Sequence, residues 1–253
     1  ETTHAVRISL CSAGLWWATF SVLPMLTLRN RRSSLSLSRG ENMLTVGFRK
    51  LAATARDARN HPQTLVFLLA YVFFNDGVQS VITISSQFGQ EELGLDLSTL
   101  TTVILMVQFV AFGGAILFKY ISKSIGNKRA ILWSLVVWTA AVLFSYFFLS
   151  TEFHFYILGF VIAIVLGGTQ ALSRSLYSQL IPPGAEAEYF SLYEVSERGT
   201  SWLGPFVFGL SLQLSNSYRT AILSLIAFFV IGFILLLRLR IPSNMQSGKN
   251  DSH

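Results

Sequence analysis

A carboxylate in the middle of an apolar run is the side chain here best placed to do chemistry. Asp76 is the single charge in the stretch from Thr64 to Ser86. At mid-membrane depth such a group costs about 3 kcal/mol, so it is kept facing a bundle interior or a watery cavity. Asn75 precedes it, Gly77 lets a neighbouring backbone come close, and Gln79 and Ser80 lie one helical turn from Asn75 and Asp76. We expect Asp76, with Asn75 and Gln79, to bind a substrate ammonium or to take up a coupling proton. The alternative is a structural Asp hydrogen-bonded to the next helix. Gln170 and Thr169 follow Gly167 and Gly168 in another uncharged run. An amide can hydrogen-bond a carboxylate or an amine, and the glycines admit a helix or a ligand at close range. These two form a second candidate pair, with an interhelical polar contact as the alternative. Gln108 is assigned to packing. Arg174, Glu194, Glu197 and Arg198 form a third group near one membrane face. Paired, they can be tolerated there and can part on opening. They read as a cytoplasmic gate, or as a static ion-pair cluster.

The elements that must hold these residues are membrane helices. The chain has 253 residues, 52% hydrophobic and 13% charged. A soluble domain carries about a quarter charged residues, and a disordered chain lacks the apolar content. A single cysteine, Cys11, excludes an internal disulfide, and four scattered histidines give no metal spacing. No cofactor is expected. The formal charge of +6 is not a nucleic-acid footprint, because the basic residues sit in the gaps between apolar runs. A spanning helix needs about 20 apolar residues. Seven stretches qualify or nearly so: Ile8 to Leu28, Thr64 to Ser86, Ser98 to Phe118, Ala130 to Ser150, Phe155 to Gln179, Tyr189 to Leu214, and Thr220 to Leu237. Run length and the lack of alternation argue for helices over strands.

Charge in the connections orients them. Basic segments (Arg29 to Pro62, Lys119 to Arg129, and the tail with Arg238, Arg240 and Lys249) alternate with segments lacking that excess. The positive-inside rule then puts the linker and C-terminus in the cytoplasm and the N-terminus outside. The chain begins with Glu1 and has no positive leader before its first span. We expect it to be the second portion of a longer protein: residues 1–28 the last helix of a truncated first half, 29–63 a cytoplasmic linker, 64–240 a six-helix half, and 241–253 a cytoplasmic tail. The alternative is a natural seven-helix protein with a processed end. Within the linker, residues 31–38 look flexible. Met43 to Arg59 carries Leu44, Phe48, Leu51 and Ala55 at helical spacing, beside Arg49, Lys50, Arg56 and Arg59. That pattern suits an amphipathic helix on anionic lipid, or a solvated linker helix.

Six helices after a linker divide into two sets of three, as in half of a transporter built from inverted repeats. The stretch Gly114 to Arg129 resembles the short basic loop of the major facilitator superfamily. Gly126, Lys128 and Arg129 match, while Lys123 and Ser124 replace the usual Asp and Arg. The departure at Lys123 removes the carboxylate of that motif's cytoplasmic gate. Lys128 and Arg129 join the gate residues on this resemblance. Three further stretches (Phe73 to Gln79, Gly167 to Leu176, and Leu180 to Gly184 with Glu188-Tyr189-Phe190) resemble the vacuole-effluxer-like branch, which includes fungal autophagy-related amino-acid effluxers. The resemblance covers residues 6 to 238. It implies an all-α membrane protein, half of a twelve-helix bundle. It also implies secondary transport of a small solute by alternating access, amino acids as substrates, efflux as the direction, and the missing N-terminal half as a partner. The membrane would be a bacterial cell membrane, or a vacuolar one in a fungus. The alternative is a non-transporting scaffold or an inactive half. No ATP-binding loop and no nucleophile–base pair points to an enzyme.

Overall fold

A computed structural model describes residues 2–27 and 43–240. The segment 31–38 and the tail 241–253 lie outside the described residues. So does Leu28, the expected end of the first span. The residues fall into two compact units, with the boundary between Val46 and Gly47. The first contains α1 (Thr2–Thr27), with Pro24 inside it and Trp16 and Phe20 ring-to-ring at 4.5 Å. α2 (Met43–Asp57) crosses the boundary and ends in a tight turn at Ala58–Asn60.

The second unit is a helical bundle. Its elements are α3 (Pro62–Leu93), α4 (Leu97–Ile125), α5 (Asn127–Phe147), α6 (Glu152–Leu180), α7 (Glu186–Gly199), α8 (Leu203–Ser215), α9 (Tyr218–Ile222) and α10 (Ile226–Arg238). No strand occurs among the described residues. Among the described residues six stretches are long and apolar enough to cross a membrane: Val6–Thr27, α3, α4, α5, α6, and Tyr218–Arg238, which joins α9 to α10. The remaining expected span, Tyr189 to Leu214, is not one rod. It breaks at Thr200–Trp202 into α7 and α8. At about 1.5 Å per residue neither piece alone covers about 30 Å of hydrocarbon. Pro205 explains where the second piece starts. As the third residue of α8 it lacks an amide that would have no helical partner anyway.

Local signals set the other ends. Pro62 opens α3, and Gly94 closes it at φ 63°. Asp96 caps α4 by accepting from the Thr99 amide at 3.0 Å. The Thr99 and Ser98 hydrogen bonds hold its carboxyl below the usual range. Gly126, at φ 86°, is the sole residue between α4 and α5, a reversal that a side chain would strain.

The helices run up and down, so their ends gather in two rims. On one rim Thr64 donates to the Leu180 carbonyl at 2.6 Å and the Arg240 amide to Gln63 at 2.6 Å. On the other, Thr99 meets Glu152 at 3.1 Å. Arg219 pairs there with Glu92 at 3.2 Å and donates to the carbonyls of Leu149 (2.6 Å) and Tyr146 (3.4 Å) at the end of α5. This arginine lies on the rim expected to be poor in bases. Its position is explained by capping one helix and pairing with another. Arg219→Ala should lower unfolding free energy by about 2 kcal/mol, since two half-buried carbonyl partners and a carboxylate lose their donor. Glu92→Gln should cost less, because the arginine keeps its carbonyls. Unfolding titrations in mixed micelles check the order of the two.

Between the rims α4 lies along α6, α3 along α10, and α5 fits between α6 and α10. The α4–α6 approach is close enough to bring backbones together. A Cβ on Gly167 would collide with the Ala111 carbonyl, and one on Gly114 with that of Ile164. Trp138, fully buried, stacks on Phe229 at 5.7 Å and ties α5 to α10.

The second part of α2 packs on α7. Lys50 pairs with Glu188 at 3.7 Å, and the Tyr189 hydroxyl donates to Asp57 at 2.9 Å. That bond, with a second from Asn60, holds the Asp57 carboxyl below the usual range. Phe48 stays exposed. The linker helix is thus partnered by protein on the α7 side.

Candidate functional site

Three helices contribute one glutamine each to a single cavity. Gln79 comes from α3, Gln108 from α4 and Gln170 from α6, and the space between them is about 320 Å³. Ser85 and Ser86 add hydroxyls about two turns along α3 from Gln79, and Leu100, Val103, Val107, Ile162 and Leu166 supply apolar wall. Spacing accounts for the arrangement. On α3, Gln79, Ile82 and Ser86 fall at three- and four-residue steps and share a face. The glycines that pull α4 onto α6 set the width. No charged side chain lines the cavity, so its polar groups are amides and hydroxyls that both donate and accept. Such a lining can meet the two ends of a zwitterion without a fixed countercharge.

Asp76 lies beside this space and not in its lining. It is 1% exposed, and neither carboxylate oxygen accepts a hydrogen bond. The electropositive group acting on it is the backbone amide of Gly204, in the first turn of α8, short of hydrogen-bonding geometry. A Cβ on Gly204 would stand 3.1 Å from Asp76 Oδ2 and collide with Ser80 Oγ. The Ser80 hydroxyl turns away, donating to the Asp76 backbone carbonyl at 2.6 Å. A lone buried carboxyl therefore faces the positive end of a half-helix. Among the described residues no cation forms an ion pair with it. Asn75 is buried next to it.

The remaining expected residues separate. Gln79 and Gln170 meet in the cavity, whereas Thr169 faces α5. Its hydroxyl donates to the Val165 carbonyl at 2.6 Å, sits 3.0 Å from Ser134 Oγ and accepts from Trp138 Nε1 at 3.3 Å. Gln108, assigned to packing from the sequence, lines the cavity instead. A long apolar helix does not announce which polar residue faces inward, so no local signal marked it.

Arg174, Glu194, Glu197 and Arg198 do come together. Arg174 reaches Glu194 and Glu197, each at 3.5 Å, and Arg198 reaches Glu194 at 3.5 Å. Tyr71 of α3, which sequence reasoning missed, donates to Glu197 at 2.9 Å and stacks on Tyr193 with centroids 4.3 Å apart. The cluster thereby links α3, α6 and α7. Lys128 and Arg129 lie elsewhere. Lys128 Nζ donates to the carbonyls of Leu237 (2.9 Å) and Leu239 (2.7 Å), ending α10.

Known proteins are similar to this chain. The protein named uncharacterized MFS-type transporter YxiO, of Bacillus subtilis, is 30% identical over 93% of this chain and 54% of its own length. Autophagy-related protein 22-1 of Aspergillus niger is 27% identical over all of this chain and 44% of its own. Autophagy-related protein 22 of Yarrowia lipolytica is likewise 27% identical, over all of this chain and 46% of its own. The chain thus spans about half the length of the curated relatives it matches. A family model described as vacuole effluxer Atg22 like matches residues 1–252. On that match the chain, an integral multi-pass membrane protein, belongs to the vacuole effluxer Atg22-like family.

Proposed function

We propose that this chain is the C-terminal portion of a secondary transporter that moves a small solute, an amino acid by preference and outward by direction, through alternating access. The observation that supports the reading most is the cavity with one glutamine from each of three helices. Its neutral donors and acceptors suit a zwitterionic amino acid, whose ammonium and carboxylate both need partners. The names of the relatives support transport as the activity. In this proposal Gln79 and Gln170 bind the solute and Asn75 orients the segment that carries Asp76. Asp76 exchanges a coupling proton. It is too enclosed to admit a substrate ammonium, and a proton needs no added space. Its setting at the start of α8 connects that exchange to movement of the broken helix. The Arg174–Glu194–Glu197–Arg198 cluster, with Tyr71, closes the cytoplasmic side and parts on opening.

The test is transport by the full-length gene product in vesicles, with labelled neutral amino acids. Gln170→Ala should raise KM about ten-fold, the scale of a lost hydrogen bond to a charged group, with little change in kcat. No flux above empty vesicles for any amino acid would end the substrate assignment. An unchanged KM in Gln170→Ala would remove the cavity from it.

A further inference from the structure

On the outside of the bundle a second groove runs between α5 and α10. It encloses about 260 Å³ and is lined by Arg129, Leu132, Trp133, Val136 and Phe233. The four α5 residues recur at three- and four-residue steps, so they form one face, and Phe233 closes it from α10. The walls are apolar apart from the guanidinium at the end where α5 begins. Trp133 is 64% exposed there.

The charge around this groove is one-sided. Lys128 is taken up by the carbonyls of Leu237 and Leu239. Arg238 and Arg240 follow on the same segment, both exposed. No Asp or Glu occurs from Leu97 to Thr151 or from Gly199 to Asn250. Among the described residues Arg129 forms no ion pair. A basic cluster thus tops an apolar channel on an exposed face of the bundle, and among the described residues no carboxylate forms an ion pair with Arg129.

We propose that this groove binds one anionic phospholipid, its phosphate on Arg129 and an acyl chain along Leu132, Val136 and Phe233. Arginine is the side chain that grips a phosphate with two donors, and basic pockets between membrane helices favour anionic headgroups. A free phosphate would leave the apolar walls unused. The site is independent of the glutamine cavity and of the transport reading.

Native mass spectrometry of the full-length gene product tests it, with phosphatidylglycerol or phosphatidylcholine added in detergent. Wild type should retain phosphatidylglycerol preferentially. Arg129→Gln should cut that retention about five-fold, the effect of one basic residue near an anionic surface, and leave phosphatidylcholine retention unchanged. Val136→Trp fills the groove without altering charge and should cut it as well, while millimolar glycerol phosphate should displace nothing. Equal retention of the two lipids by wild type, unchanged retention in Arg129→Gln, or displacement by glycerol phosphate alone would overturn the assignment.

Discussion

Replacing Asp76 by Asn should abolish gradient-driven accumulation while sparing solute exchange. The substitution keeps the shape of the side chain and removes its exchangeable proton. The driven rate should fall about a hundred-fold or more, the scale of losing a proton-transfer group. Counterflow, which needs the cavity but no net proton movement, should persist. Stability should not fall, because neither carboxylate oxygen has a hydrogen bond to lose. A neutral amide facing the Gly204 turn should instead be worth up to about 1 kcal/mol in unfolding free energy. Flux with and without a pH gradient, beside counterflow, separates this from a folding defect. Equal driven flux in wild type and variant would remove Asp76 from coupling.

Gly167→Ala should be the most damaging single methyl group in the bundle. The added carbon would collide with the Ala111 carbonyl and stand 3.0 Å from the Ala115 nitrogen. Both obstacles are backbone, so no side chain can swing aside and α4 must move off α6. Overpacking of this kind costs about 1–3 kcal/mol, and a backbone clash belongs at or above the upper end. Because α4 and α6 also wall the cavity, solute affinity should fall together with stability. Two adjacent glycines of α4 provide the contrast. Gly114→Ala would meet the Ile164 backbone, whereas Gly113 has nothing within 4 Å of such a carbon. Gly113→Ala should therefore be neutral or stabilising by up to about 1 kcal/mol through helix propensity. Thermal unfolding in detergent reads all three. A Gly167→Ala protein as stable as wild type would contradict the close approach of the two helices.

The bundle was largely legible in the sequence, because a run of about 20 apolar residues has few alternatives to a spanning helix. The break in the sixth of the seven expected spans was only half visible. Gly199 and Pro205 mark it, but a kink and a full break carry the same residues. The site was legible where it depends on composition and illegible where it depends on facing. Asp76 stood out as a charge in oil, yet its place against the start of α8 follows from packing between elements over 120 residues apart in the chain, as the Tyr71–Glu197 bond does across 126. Gln79 and Gln170 were singled out because few polar groups interrupt their helices, and both line the cavity. Gln108 satisfied the same description and was assigned to packing, since the direction it faces depends on how α4 rotates against α6. Lys128 shows the opposite case. Its motif suggested a gate, and its ammonium instead ends α10.

In the proposed cycle, solute and proton cross the membrane together. The most direct test loads vesicles containing the full-length gene product with a pH-sensitive dye and imposes an amino-acid gradient with no initial pH difference. Coupled transport should give a lumenal pH change that tracks labelled solute flux, fails to develop in Asp76→Asn, and collapses with a protonophore. Solute flux at full rate with a flat dye signal would contradict it.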